Sequence, residues 1–176
     1  MDIVGTIKEG FDRSIKDIVK TIVMFVGMYI PLVNFWAMGY MLDVVQTTKK
    51  KTMPDFNWVH QFIEGIKTTV ILLIYIVIGV VLTMVLGIVG AMLDPMIGMV
   101  LGLIGMVLSI LLTLMGFVGV MKYAMSRKFG DGFAIMAIIK RIISVDFIVT
   151  LIISILGMIP IIGPVMTATF WGKLDY

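Results

Sequence analysis

The stretch TTVILLIYIVIGVVLTMVLGIVGAMLDPMIGMVLGLIGMVLSILLTLMGFVGVM, residues 68–121, decides the fold, because Asp94 is the only charge in it. A hydrocarbon core about 30 Å thick asks for roughly 20 apolar residues at 1.5 Å rise per residue. Each arm beside Asp94-Pro95 clears that length, and proline suits the first position of a helix. The reading is two antiparallel spans, 66–93 and 95–125, joined by a tight turn at Asp94-Pro95. Working outward, residues 21–42 and 147–172 are equally free of charge, which makes four windows of membrane length.

Composition agrees. Sixty per cent of the residues are hydrophobic and the mean hydropathy is +1.12, against roughly 45–50% apolar usage in soluble domains. A soluble domain is set aside, and 176 residues leave room for one integral membrane domain, 1–176, without a second water-soluble unit. The absence of cysteine excludes disulfides, thiolate metal sites and a cysteine nucleophile.

Charge placement gives an expected topology. The 14 Lys and Arg residues fall within 8–20, 49–67 and 122–141 and at Lys173, and none lies beside Asp94. Positive loops stay inside, so both termini and both long connections are expected in the cytoplasm of a multi-pass cell-membrane protein, with Asp94 outside. The first and last windows must then turn round. Each holds a proline in a similar setting, Ile30-Pro31-Leu32-Val33-Asn34 and Ile159-Pro160-Ile161-Ile162-Gly163-Pro164, where a helix loses a backbone donor and breaks. Residues 17–47 and 145–172 therefore read as broken hairpins, with a single kinked span as the other reading of each. Residues 1–16 place Ile3, Val4, Ile7, Phe11 and Ile15 on one helical face and Lys8, Glu9, Asp12, Arg13 and Lys16 on another, the pattern of a helix lying in the membrane interface. Val59, Phe62, Ile63 and Ile66, and more weakly Phe133, Met136 and Ile139, suggest further interfacial stretches. The expected fold class is all-α: a polytopic transmembrane helical bundle with two proline-broken hairpins and short interfacial amphipathic helices.

Three sets of residues are candidates for function. Gly79, Thr83, Gly87 and Ala91 repeat every fourth position, and Gly98, Gly102, Gly105 and Ser109 follow; small residues let helices approach closely in lipid, which points to packing within the central hairpin or to self-association. Lys49, Lys50 and Lys51, with Phe56 and Trp58 close behind, form a basic and aromatic patch that either sets topology or binds anionic lipid. The breaks at Pro31, Asn34, Pro160 and Gly163 are where unwound backbone would line a polar site in a transporter. No ionisable residue lies inside the central spans, against an ion-coupled pathway, while Asp17, Asp43, Lys122 and Asp146 sit at window edges where pairing is the ordinary explanation. His60 is alone, and no phosphate loop, nucleophile elbow or metal-binding pair occurs. Neither a cofactor, a metal nor a nucleic acid is implied. The expectation is a non-enzymatic structural or accessory membrane component that self-associates or binds lipid or a membrane partner; the alternative is a small-solute or ion channel or permease using the Pro31 and Pro160 breaks.

Several of these segments resemble an archaeal membrane-protein family, domain of unknown function 4013. The resemblance rests on Ile30-Pro31-Leu32-Val33-Asn34-Phe35 with Gly39-Tyr40, on Met53-Pro54-Asp55-Phe56 with Trp58, on Phe62-Ile63-Glu64-Gly65-Ile66-Lys67, on Phe129-Gly130-Asp131-Gly132-Phe133 and on Ile159-Pro160-Ile161-Ile162-Gly163. It implies a polytopic membrane protein and carries no catalytic residues over.

Overall fold

The computed structural model describes residues 3–48, 52–144, 148 and 163–173, and every regular element among them is helical. Among the described residues the helices with defined bounds are, in order, α1 (Ile3–Lys16), α2 (Ile18–Gly27), α3 (Pro31–Gln46), α4 (Trp58–Leu93), α5 (Pro95–Ser126), α6 (Ile135–Ile142) and α7 (Gly163–Gly172), with a 3₁₀ turn at Phe129–Phe133 between α5 and α6.

The long helices α4 and α5 form an antiparallel hairpin. Asn57 caps α4 by accepting from the His60 amide at 3.3 Å, and the helix runs unbroken for 36 residues to Asp94. There the Asp94 carboxylate accepts from Met96 N at 2.7 Å, so one residue ends α4 and starts α5, with Pro95 at the first helical position. Small side chains bring the backbones together: a Cβ on Gly90 would meet the backbone of Gly98, one on Gly105 that of Thr83, and one on Gly79 that of Ser109. The outer surface is apolar and exposed, with Val81, Met84, Ile88 and Met92 on α4 and Met99, Leu103, Met106 and Ile110 on α5. Only 17% and 11% of the two most apolar windows are buried. A soluble protein would bury such helices, so their exposure fits lipid as the solvent.

Among the described residues, α4 and α5 are the two helices long and apolar enough to cross a membrane. The expected polytopic bundle therefore narrows to two helices of spanning length. The window at 21–42 holds two shorter helices, 10 and 16 residues long, that turn round at residues 28–30. Ile30 takes the extended conformation that a residue before proline prefers (φ −97°, ψ 117°), Pro31 starts α3, and Asn34 Nδ2 donates to the Met28 carbonyl at 2.6 Å. The helices fold back on each other where Gly27 faces Val33 and Trp36. The second proline break, at Pro160, lies outside the described residues, as do 145–147 and 149–162.

Helix α3 crosses the base of the long hairpin. Phe35 and Gly39 touch Gly65 and Gln61, Trp36 stacks on Trp58 with ring centroids 4.2 Å apart, and Gln46 Nε2 donates to the Ala124 carbonyl at 2.7 Å. Both ends of α3 thus meet the hairpin at nearly one level, which a helix running alongside α4 could not do. The core lies here, around Trp36, Tyr40, Val44, Ile71, Tyr123 and Trp171. The chain after α5 packs back on the same base: the Tyr75 hydroxyl donates to Gly132 O at 3.1 Å and its ring stacks on Phe133.

Burial in α1 is reversed relative to a soluble amphipathic helix. Its inward face is polar, with Thr6, Arg13 and Ser14 each no more than 1% exposed, while Ile7, Phe11 and Ile15 are 39%, 45% and 52% exposed. Water would drive those three side chains inward at roughly 25 cal/mol per Å² of apolar surface. Their outward direction is what a hydrocarbon solvent permits.

Candidate functional site

The densest polar cluster sits where α3 crosses the hairpin. The αL conformation of Arg127 (φ 55°), which ends α5, turns the chain there, and its guanidinium bridges two helices: Nη1 donates to Glu64 Oε2 of α4 at 2.7 Å and Nη2 to Asp43 Oδ1 of α3. Nη2 also reaches Gln46 Oε1 at 3.2 Å. Glu64 is 4% exposed, and its other oxygen accepts from Lys67 Nζ at 2.7 Å while Oε2 also accepts from the Tyr123 hydroxyl. Gln61 completes the set, its Nε2 donating to Asp43 Oδ2 at 2.9 Å and its Oε1 accepting from Trp36 Nε1 at 2.8 Å and from Asn57 N at 3.0 Å. Two carboxylates face two cations. With its charges balanced and its amides hydrogen-bonded, the cluster is built as a tie between three helices.

Two smaller ties hold the amino-terminal helices to it. Asp17 Oδ2 accepts from Met53 N at 2.7 Å, Lys20 Nζ donates to the Pro54 carbonyl at 3.1 Å and pairs with Asp55 at 2.8 Å, and the Tyr40 hydroxyl donates to the same Pro54 carbonyl at 3.0 Å. Lys20 holds the Asp55 carboxyl below the usual carboxylate range through that hydrogen bond, and burial, with Asp17 nearby, pushes the Tyr40 hydroxyl well above its ordinary value. Arg13 caps the end of α3, donating to the Thr47 carbonyl at 3.3 Å and to Thr169 Oγ1 of α7 at 3.4 Å; burial lowers its affinity for the proton. A cation suits the carbonyl end of a helix.

The residues singled out from sequence are distributed differently. Gly79, Gly98 and Gly105 sit in the α4–α5 contact, whereas a Cβ on Gly87 or Gly102 would meet nothing within 4 Å. Of the fourfold repeat, Gly79, Thr83 and Ala91 meet Ser109, Gly105 and Gly98 across the hairpin, and Gly87 stands clear of it. Pro31 starts a helix and Asn34 closes the turn before it, so its amide serves the backbone. Gly163 is the first residue of α7, and Lys49, Lys50 and Lys51 lie outside the described residues. Phe56, partly buried, packs against Trp36 and Tyr40. Trp58 is half exposed and, with Leu32, Trp36 and Phe62, lines an open groove of about 370 Å³ whose walls are apolar.

Sequence reading did not assemble the Asp43–Glu64–Arg127 cluster, although each residue lies beside a signal. Asp43 follows Gly39 by one helical turn, Gln61 precedes Gly65 by one and Glu64 stands directly before it, and those two glycines make the crossing: a Cβ on Gly39 would overlap the Gln61 carbonyl and one on Gly65 the Phe35 carbonyl. Among the described residues no group of three or more His, Cys, Asp or Glu is placed to hold a metal ion.

The crossing glycines, the Met53–Phe56 segment and the Gly132 turn are the same segments on which the family resemblance rests. A family model described as a protein of unknown function (DUF4013) matches residues 22–171. The chain belongs to the DUF4013 family. Its match runs from α2 through α7 and so takes in the hairpin and the polar tie together. No curated protein and no solved structure matches the chain. Family membership and the two apolar helices make this DUF4013 chain a membrane-associated protein.

Proposed function

We propose that this DUF4013 protein is a non-enzymatic, multi-pass integral membrane protein, in which α4 and α5 cross the bilayer and the remaining helices form a head lying in the cytoplasmic interface and contacting lipid. The observation that carries this reading is the exposure of apolar side chains: they cover the outside of the hairpin, and on α1 Ile7, Phe11 and Ile15 are exposed while Thr6, Arg13 and Ser14 are buried. Length supports it. Residues 76–93 and 95–113, beyond the level where the Gly132 turn packs on Tyr75, give a stalk of roughly 27 Å at 1.5 Å per residue, close to a hydrocarbon core of about 30 Å. The ionic cluster around Glu64, about 18 Å further along α4 than Ile76 at 1.5 Å per residue, then lies on the cytoplasmic side of the inner headgroups, with Asp94 at the outer ones.

The lack of cysteine makes the test direct, because any introduced thiol is the only one. In intact cells a membrane-impermeant maleimide is expected to label Asp94→Cys, and to label Lys128→Cys only after permeabilisation. Labelling of both positions from one side would overturn the two-span reading, and labelling of position 128 alone from outside would invert it.

A further inference from the structure

We propose that two copies of this chain associate side by side through the outward face of α4, as a parallel pair about a two-fold axis along the membrane normal. The inference rests on the two-span reading and adds a partner to it. Its basis is the spacing of the exposed residues on α4. Val59, Ile63, Ile66, Val70, Leu73 and Val77 follow one another in alternate steps of four and three, and every one of them is exposed. That is a seven-residue repeat, the seam along which two helices wind together. Ile63, Val70 and Val77 take the position where β-branched side chains favour two parallel strands, and Val59, Ile66 and Leu73 take the other apolar position. The opposite face of α4 is already used: Gln61, Gly65 and Tyr75 are buried, against α3, α5 and the Gly132 turn. Holding α3 and α5 therefore does not account for the repeat.

Solvent sets this seam apart from the rest of the hairpin surface. Between Val59 and Leu73 it runs about 21 Å at 1.5 Å per residue, on the cytoplasmic side of Ile76, where the hydrocarbon core no longer covers it. Apolar surface standing in water drives association, whereas the same surface in lipid has no such drive. At its lower end the seam opens into the apolar groove lined by Trp58, Val59, Phe62 and Ile63, whose other wall carries Leu32, 72% exposed. Stripe and groove together expose roughly 800 Å² of side chain, on the order of what each partner of a stable complex covers. Two copies inserted the same way hold this face at the same height, and the two-fold axis sets each seam against itself, as a self-complementary contact requires.

The test is disulfide trapping in the full chain, which has no cysteine of its own. Single variants Ile63→Cys, Ile66→Cys and Val70→Cys, diluted in phosphatidylcholine vesicles and oxidised with copper phenanthroline, are expected to give disulfide-linked dimer in at least about fivefold higher yield than Met136→Cys. Met136 is the control because it is 81% exposed on a different helix, α6. Adding Val59→Lys and Ile66→Lys to Val70→Cys sets like charges opposite each other in the seam and is expected to lower its yield at least about threefold. Yields at 63, 66 and 70 no higher than at 136 would overturn the pair. Blue-shifted emission of a polarity-sensitive dye at Ile66→Cys without cross-linking would overturn it too, by showing lipid on this face, as would a cross-link in cell membranes to a different protein in place of the dimer. Asp94→Cys labelled from outside and Lys128→Cys from inside would keep the two-span reading standing through any of these failures; labelling of both from one side would sink both readings.

Discussion

Gly39 and Gly65 set how closely α3 approaches α4, and the clearance at both is a backbone carbonyl rather than a flexible side chain. A methyl group there cannot be absorbed by a rotamer change, so the crossing must open. Gly39→Ala and Gly65→Ala are each expected to destabilise the protein by about 3 kcal/mol or more, at the upper end of overpacking effects, read as a loss of unfolding temperature by tryptophan fluorescence in detergent. Gly87→Ala and Gly102→Ala, whose Cβ positions are open, are expected to stay within about 0.5 kcal/mol of the parent. Sequence alone ranks these glycines the other way round, because a fourfold repeat is visible in a string and a single close crossing is not. What distinguishes them is the atom on the far side, Gln61 O or Phe35 O, which belongs to a different helix.

Among the elements, the turn between α2 and α3 shows what a proline break does in this chain. Pro31 stops the backbone pairing, and Asn34 supplies the donor that the Met28 carbonyl then needs. Asn34→Ala leaves that carbonyl without the donor, with an expected cost of about 1–2 kcal/mol, whereas Asn34→Asp removes the donor and brings a charge to the carbonyl and is expected to cost more; thermal unfolding of the two variants in detergent checks the order. The break was legible from Ile30-Pro31. The angle of the return was not: α3 crosses the hairpin base because Trp36, Gly39 and Gln46 find partners on α4 and α5 at one level, and no periodicity within 17–47 encodes that. Helix α1 is the converse case. Its apolar stripe and its charged face were both readable, yet Arg13, read with the exposed charges, is the buried one, since only α3 and α7 offer it carbonyl and hydroxyl partners.

For the whole molecule, the tie through Arg127 joins three helices across 84 residues of sequence to Asp43 and 63 to Glu64. Removing the cation leaves two carboxylates close together and Glu64 buried, so Arg127→Met is expected to cost about 3 kcal/mol, measured as the shift in thermal midpoint in detergent. The double variant Arg127→Met, Asp43→Asn is expected to recover part of that loss, and strict additivity of the two single changes would show that the pair does not act as a tie. By itself the sequence determined a membrane-associated chain, the two long helices, the turn at Asp94-Pro95 and the break at Pro31, because charge-free length and proline chemistry act locally and need no partner. Only the tertiary structure decided that α3 crosses the base of the hairpin, that Gly39 and Gly65 are the tight glycines, and that Asp43, Glu64 and Arg127 belong together. The reason is the range of the forces: solvent preference and backbone geometry are written in neighbouring residues, while close packing and ion pairing depend on which distant segment arrives opposite.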